Sequence, residues 1–296
     1  MTVRAVLLGS LACVACVFTW YALRHTHEAP VRRPTGWLVF VGFLTNFLDT
    51  LGIGSYATTT ALWRTRRSVD DRCLPGTLSV GHAWPTFVQA AIFLTSVAVD
   101  ETTLGSLIGA SVVGAWLGSG VAAGLSRRRV QAVVGVGLAV AASLMALGLA
   151  GALPLGGSAH LLAGIRLPIG AAACAVFGAL MTFGIGAYAP ILLTVSLLGM
   201  NPAAAFPIMM GACAFLMPVA NVRFLAHGSF DAPAALGLTL GGVPGVLVAA
   251  WVVRSLPLVA LKVVVIAVAS RAAWSLLRDA ARGREGLGSE DTPRSH

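Results

Sequence analysis

Charge is what this 296-residue chain has least of. Asp, Glu, Lys and Arg together make up 10% of it, against roughly 25% in an ordinary soluble domain. Lysine is nearly missing, with Lys262 the sole one among 20 basic residues, and there are 11 acidic residues and 3 tyrosines. Hydrophobic residues reach 57% and the mean hydropathy is +0.86. A soluble fold of this size cannot bury that much apolar surface while showing water so few charges. These absences exclude a soluble enzyme, a disordered chain and a disulfide-stapled secreted domain. The net charge of +9 and pI near 10.4 do not point to nucleic acid, because the arginines lie between apolar runs and form no continuous basic face. Cysteine is sparse as well. Of Cys13, Cys16, Cys73, Cys174 and Cys213, only the first two have C-x-x-C spacing, and no second pair or histidine cluster accompanies them. The expectation is small apolar packing residues, with no metal and no cofactor. H-E-x-x-H, G-x-S-x-G, paired helix histidines and G-x-x-x-x-G-K-[ST] are all missing, which argues against a membrane enzyme, a haem subunit or an ATP-driven pump.

What is present is a series of long uncharged runs: residues 5–23, 73–99, 102–126, 130–165, 167–222 and 232–253. A spanning helix needs about 20 predominantly apolar residues. The sequence therefore reads as an all-α polytopic membrane protein. An N-terminal signal-anchor helix is followed by eight hydrophobic units: 36–62, 74–98, 103–125, 130–150, 166–197, 204–225, 232–253 and 258–277. The first run is longer than the usual core of a cleaved signal and lacks a small-x-small site after it. Arginine distribution puts 24–33, 64–72 and 127–129 inside and Asp100–Glu101 outside. That leaves 36–62 with both ends on one side. Either this segment, with Gly52 and Gly54 in its middle, is broken or re-enters, or the first helix has the opposite orientation and 36–62 crosses once. We favour the former.

Shifted by 132 residues, Thr50-Leu51-Gly52-Ile53-Gly54-Ser55-Tyr56-Ala57 lies over Thr182-Phe183-Gly184-Ile185-Gly186-Ala187-Tyr188-Ala189, with six of eight positions identical. The same shift sets Pro75 over Pro207, Gly105 over Gly237, Gly109 over Gly241 and Gln89 over Asn221. Two homologous repeats at 34–150 and 166–282 are expected, preceded by a hydrophobic helix and basic loop at 1–33 and followed by a polar tail at 283–296. Paired glycine-broken segments mark the binding site of secondary transporters. A break frees N–H groups at a half-helix N-terminus, where the dipole suits an anion.

Asp49 is the one acid in a clearly apolar segment, and such residues default to function. It reads as a proton or cation group or as a cap on the broken helix. Asn46, Asp49 and Thr50 share a helix face by their spacing. His82 reads equally as an oxyanion donor or proton shuttle and as a satisfied core histidine. Gln89 and Asn221 occupy matching places in the halves, as site residues or as polar glue. Arg166, Arg223 and Arg254 read as snorkelling to the interface.

These motifs resemble the TauE/SafE (sulfite exporter) family of membrane transporters. The resemblance rests on Leu51-Gly52-Ile53-Gly54 and Phe183-Gly184-Ile185-Gly186, and on Asn46 to Gly54 and Pro75 to His82. It continues through Pro190, Ala205-Phe206-Pro207, Gly228 to Asp231 and Leu240 to Gly245, covering about 36–278. One departure is that family members often carry three glycines after G-I, where this chain has Ser55-Tyr56 and Ala187-Tyr188. These tyrosines narrow any cavity and add hydroxyl donors. The resemblance implies a cell-membrane secondary exporter of sulfite, a sulfonate or a related organic anion, with the lipid bilayer and the small anion as its partners. The expected site is Asn46, Asp49, Thr50, Gly52, Gly54, Ser55, Tyr56, His82, Gln89, Thr182, Gly184, Gly186, Tyr188 and Asn221, with Asp49 and His82 as proton-coupling candidates. A membrane redox or enzyme subunit, or a non-transporting scaffold, is the alternative.

Overall fold

The computed structural model describes residues 2–26, 33–66, 68–70, 72–121, 127–151, 157–181, 188–255 and 257–282. Among these the chain is helical, and no β-strand occurs; Ala159 and Met200 form an isolated bridge. The helices are α1 (Val3–Thr26), α2 (Gly36–Thr50), α3 (Ser55–Arg66), α4 (Leu74–Ser96), α5 (Glu101–Val121) and α6 (Arg127–Leu149), then α7 (Arg166–Met181), α8 (Tyr188–Leu197), α9 (Ala205–Ala226), α10 (Ala232–Ser255) and α11 (Leu258–Arg282). Two of them, over Val3–Arg24 and Ala232–Val253, are long and apolar enough to cross a membrane, with mean hydropathies of 2.0 and 1.9. The eight expected hydrophobic units become ten helices because 36–62 and 166–197 are each divided. This leaves Gly36–Thr50 and Arg166–Met181 too short to span alone.

The division of the first unit follows from two glycines. Gly52 has φ +92° and Gly54 φ +86°, a region that L side chains avoid. Gly52 N–H bonds the Asp49 carbonyl at 2.7 Å and Ile53 N–H bonds the Leu48 carbonyl at 3.0 Å. This paired closure ends α2 with glycine just past its cap. The chain then doubles back. At the base of α2, Trp37 Nε1 donates to Ser68 Oγ at 3.2 Å, and the Arg66 guanidinium lies 3.9 Å from the Trp37 ring centre. So α2 and α3 form a hairpin whose two ends lie together. The second unit does the same: Arg166, opening α7, reaches the Leu198 carbonyl just past α8 at 3.4 Å.

The 132-residue shift carries α2 onto α7, α3 onto α8, α4 onto α9, α5 onto α10 and α6 onto α11, each within one or two residues at its start. Matching helices run antiparallel. Phe93 of α4 stacks on Phe206 of α9, while Ser79 meets Asn221 and Thr77 meets Asp231. Gly135 of α6 packs on Ala273 and Leu277 of α11, and Ala146 and Leu149 face Val263 and Ile266. The two halves are therefore inverted about an axis through the α4–α9 crossing. The starts of α2 and α4 and the ends of α9 and α3 share one end of the molecule. The starts of α1, α5 and α7 share the other, tied by Arg4 to the Val97 and Val99 carbonyls and by His160 to the Ala98 carbonyl. Both starts of the equivalent helices α5 and α10 are capped by aspartate, Asp100 on Thr103 N–H and Asp231 on Ala234 N–H, each at 2.9 Å.

Each hairpin lies on a long helix of the other half through small residues. Along α2 and α10, a Cβ on Gly241 would overlap the Val39 carbonyl, and one on Gly245 the Phe43 carbonyl. Along α5 and α7, Gly114 faces the Ala175 carbonyl and Gly178 the Ser111 carbonyl. Backbone-to-backbone contact of this kind is how helices associate where no hydrophobic effect drives them together. The main core is built from Phe87, Phe93, Leu104, Ile191, Phe206 and Met209.

Candidate polar site at the hairpin tips

The face formed by Asn46, Asp49 and Thr50 points at α4, and all three are buried. Opposite them stand His82 and Gln89, seven residues apart and so on one face of α4. Asn46 Nδ2 donates to the Gly42 carbonyl at 2.8 Å, which turns Asn46 Oδ1 toward His82 Nδ1 at 2.9 Å. His82 must donate there. Its Nε2 then accepts from the Thr59 hydroxyl of α3 at 3.2 Å, so the network assigns the tautomer. Tyr56 lies over the imidazole with ring centres 5.7 Å apart. Tyr56 is 41% exposed, while His82, Thr59 and Asn46 behind it are buried.

Asp49 sits at the tip. Its Oδ1 accepts the Ser55 N–H at 2.7 Å, and its Oδ2 accepts from Gln89 Nε2 at 3.1 Å and from the Tyr188 hydroxyl at 3.4 Å. The Gln89 amide also donates to Thr50 Oγ1 at 2.8 Å, and that hydroxyl in turn donates to the Asn46 carbonyl at 2.8 Å. The carboxylate thus caps α3 at the positive end of its dipole. It also joins three elements: its own hairpin, α4, and the start of α8 in the other half. None of these partners is basic. Among the described residues, the buried acceptors Gln89 Oε1 and Asn221 Oδ1 are left without a partner, as is the Trp63 Nε1 donor.

The structure gathers Asn46, Asp49, Thr50, Ser55, Tyr56, His82, Gln89 and Tyr188 into one connected group, with Gly52 and Gly54 shaping the turn. Asn221 stands apart from the tip, its Nδ2 donating to the Ser79 carbonyl at 3.1 Å. The matching positions Gln89 and Asn221 therefore have different partners. Thr182, Gly184 and Gly186 lie outside the described residues. Three amides of the first glycine break, the Gly52, Ile53 and Ser55 N–H groups, are bonded to Asp49 and Leu48. The reason is that the same positive-φ glycine that breaks the helix also closes its end, and the nearby aspartate fills the anion position. Thr59 was not singled out from the sequence, although its place four residues after Ser55 puts it on the face that reaches His82. Among the described residues no group of three or more His, Cys, Asp or Glu is arranged to hold a metal ion. Compared with known proteins, the chain matches no family model, no curated protein and no solved structure.

Proposed function

We propose that this chain is a multi-pass membrane protein that carries a small anion by alternating access, with the substrate between the two hairpin tips. The observation that carries this reading is the tip-to-tip contact: Tyr188, opening the second hairpin's return helix, reaches Asp49 at the first tip. Two hairpins entering from opposite ends and meeting at their tips give a site that either half can open by rocking.

A lipid surround is supported by the outer surface. Trp116 and Trp251 are 76% and 73% exposed, and Trp274, Val113, Leu117, Leu240 and Leu247 are exposed beside them in the chain's helices. Water does not tolerate so much large apolar surface on a monomer. Seven helices (α1, α4, α5, α6, α9, α10 and α11) are then read as crossing, and the hairpins as re-entrant. Re-entrant backbone is permitted at membrane depth because protein covers it. This arrangement also removes the charge conflict at 36–62. Arg24, Arg33, Arg66, Arg72 and Arg127 fall at one end, read as cytoplasmic, and Asp100 and Glu101 at the other. The anion class, sulfite or a sulfonate, comes from the resemblance to TauE/SafE exporters.

The test is flux of sulfite, methanesulfonate and small organic acids into proteoliposomes bearing the purified chain. Faster movement of at least one, abolished in Asp49→Ala, is expected. If none moves faster than in protein-free vesicles, the transporter reading is wrong.

A further inference from the structure

The tip network contains an acceptor with nothing to accept. Gln89 is wholly buried, gives both amide hydrogens to Asp49 Oδ2 and Thr50 Oγ1, and leaves its Oε1 without a partner. Ionised Asp49 dictates that pose, because a carboxylate only accepts and Gln89 must turn its NH2 toward it. A proton on Oδ2 reverses the requirement. The new O–H donates to Gln89 Oε1, and the amide turns over about its last side-chain bond. The NH2 then points where the unpartnered oxygen pointed. We propose that Gln89 is a proton-driven switch in the substrate site: protonation of Asp49 turns the amide over and replaces a repelling oxygen with a donor to the anion, so that one proton travels with each anion bound. The proposal rests on the anion-transport reading and adds its coupling ion and the residue that performs the coupling.

The surroundings favour this assignment. The groups facing Asp49 are the Ser55 amide and Tyr56 of α3, Gln89 of α4, Tyr188 of α8 and Cys213 of α9, with His82 linked to it through Asn46, Thr50 and Gln89. From α10 and α11, Gly242 lies against Asn46 and Val268 lies near Gly52. Among the described residues no lysine or arginine faces Asp49, so a bound anion gains no standing positive charge from them and needs the carboxylate neutralised. A metal cation fits less well. Both carboxylate oxygens already accept from N–H or O–H donors, whose hydrogens occupy the positions a cation would take. His82 has both ring nitrogens bonded in its neutral form and is not required to change.

The experiment measures methanesulfonate binding to the full-length chain in detergent from pH 5 to 8, a range over which this probe keeps a single negative charge. In parallel, proton uptake on adding the anion is read with a dye in weak buffer. Wild-type protein is expected to take up one proton per anion, with Kd rising about tenfold per pH unit on the alkaline side. Asp49→Asn presents a permanent NH2 to Gln89 Oε1, and is expected to bind the anion with a flat pH profile and no proton uptake. Gln89→Met, which cannot donate, is expected to lose binding at every pH. Binding by wild type without proton uptake, or an Asp49→Asn profile as steep as wild type, overturns the switch while leaving the anion reading in place. Binding that follows sodium instead of pH also overturns it. No methanesulfonate, sulfite or organic-acid binding at any pH overturns the anion reading and the switch together.

Discussion

The two hairpins have one geometry and different chemistry. Each carries a G-I-G sequence between its two helices, returns to its own end of the molecule and lies on a helix of the opposite half. Yet the polar residues of the first are replaced one by one in the second. Asn46, Asp49, Ser55 and Thr59 correspond to Gly178, Met181, Ala187 and Ile191, and His82 corresponds to Ala214. Only Thr50 and Tyr56 keep their type, as Thr182 and Tyr188. The comparison teaches that the scaffold is held by features both halves share. These are aspartate caps at Asp100 and Asp231 and close helix crossings. The titratable chemistry is confined to one tip, which the other touches through Tyr188. The two hairpins therefore share a frame, while the ionisable carboxylate belongs to the first tip alone.

The comparison can be broken most severely at the crossings. Gly241→Ala drives a methyl into the Val39 carbonyl, whereas its counterpart Gly109 has open space at the same position. A loss of roughly 1–3 kcal/mol is expected for the first and none for Gly109→Ala, compared by thermal unfolding in detergent; equal melting would mean the crossings are not what holds the frame. Next in size is Asp49→Met, which installs the second tip's residue in the first. It strands the Ser55 N–H and the Gln89 amide at about 1–3 kcal/mol and is expected to stop anion flux. Retained flux would separate the tip from transport. Gly52→Ala places a side chain at φ +92° and is expected to lower stability by about 1–2 kcal/mol, visible as an earlier midpoint in the same unfolding scan. The smallest effect belongs to Tyr188→Phe. Its bond to Asp49 is long, so a stability change of about 0.5 kcal/mol is expected, with a fall in flux at unchanged expression. Unchanged flux would deprive the tip-to-tip contact of a role in transport.

Much of this was legible in the residues. The repeated G-I-G breaks, the 132-residue shift and the arginine pattern together pointed to a broken first segment, and helix spacing put Asn46, Asp49 and Thr50 on one face. Three things were not legible. That α2 and α3 close into a hairpin depends on Trp37 meeting Ser68 and Arg66 across about thirty positions, a long-range contact that no local period encodes. The fate of the amides at the break depends on whether glycine opens a helix end or seals it, and G-I-G permits both. The different partners of Gln89 and Asn221 arise because an inverted pair sets one beside the first tip and the other beside Ser79. A shift of the sequence against itself cannot carry the direction in which each half runs.

The claim at the centre is that hairpins enter from opposite sides of a membrane and meet at their tips. Its most direct test is thiol labelling with a membrane-impermeant reagent, in intact cells and in inverted vesicles, of single cysteines placed at Thr35, Asp70 and Ile165 in a chain cleared of its native five. Thr35→Cys and Asp70→Cys flank the first hairpin and should label from the same, cytoplasmic side. Ile165→Cys, at the base of the second, should label from the outside. Labelling of positions 35 and 70 from opposite sides would mean that 36–66 crosses the membrane once, and would contradict the inverted, re-entrant architecture.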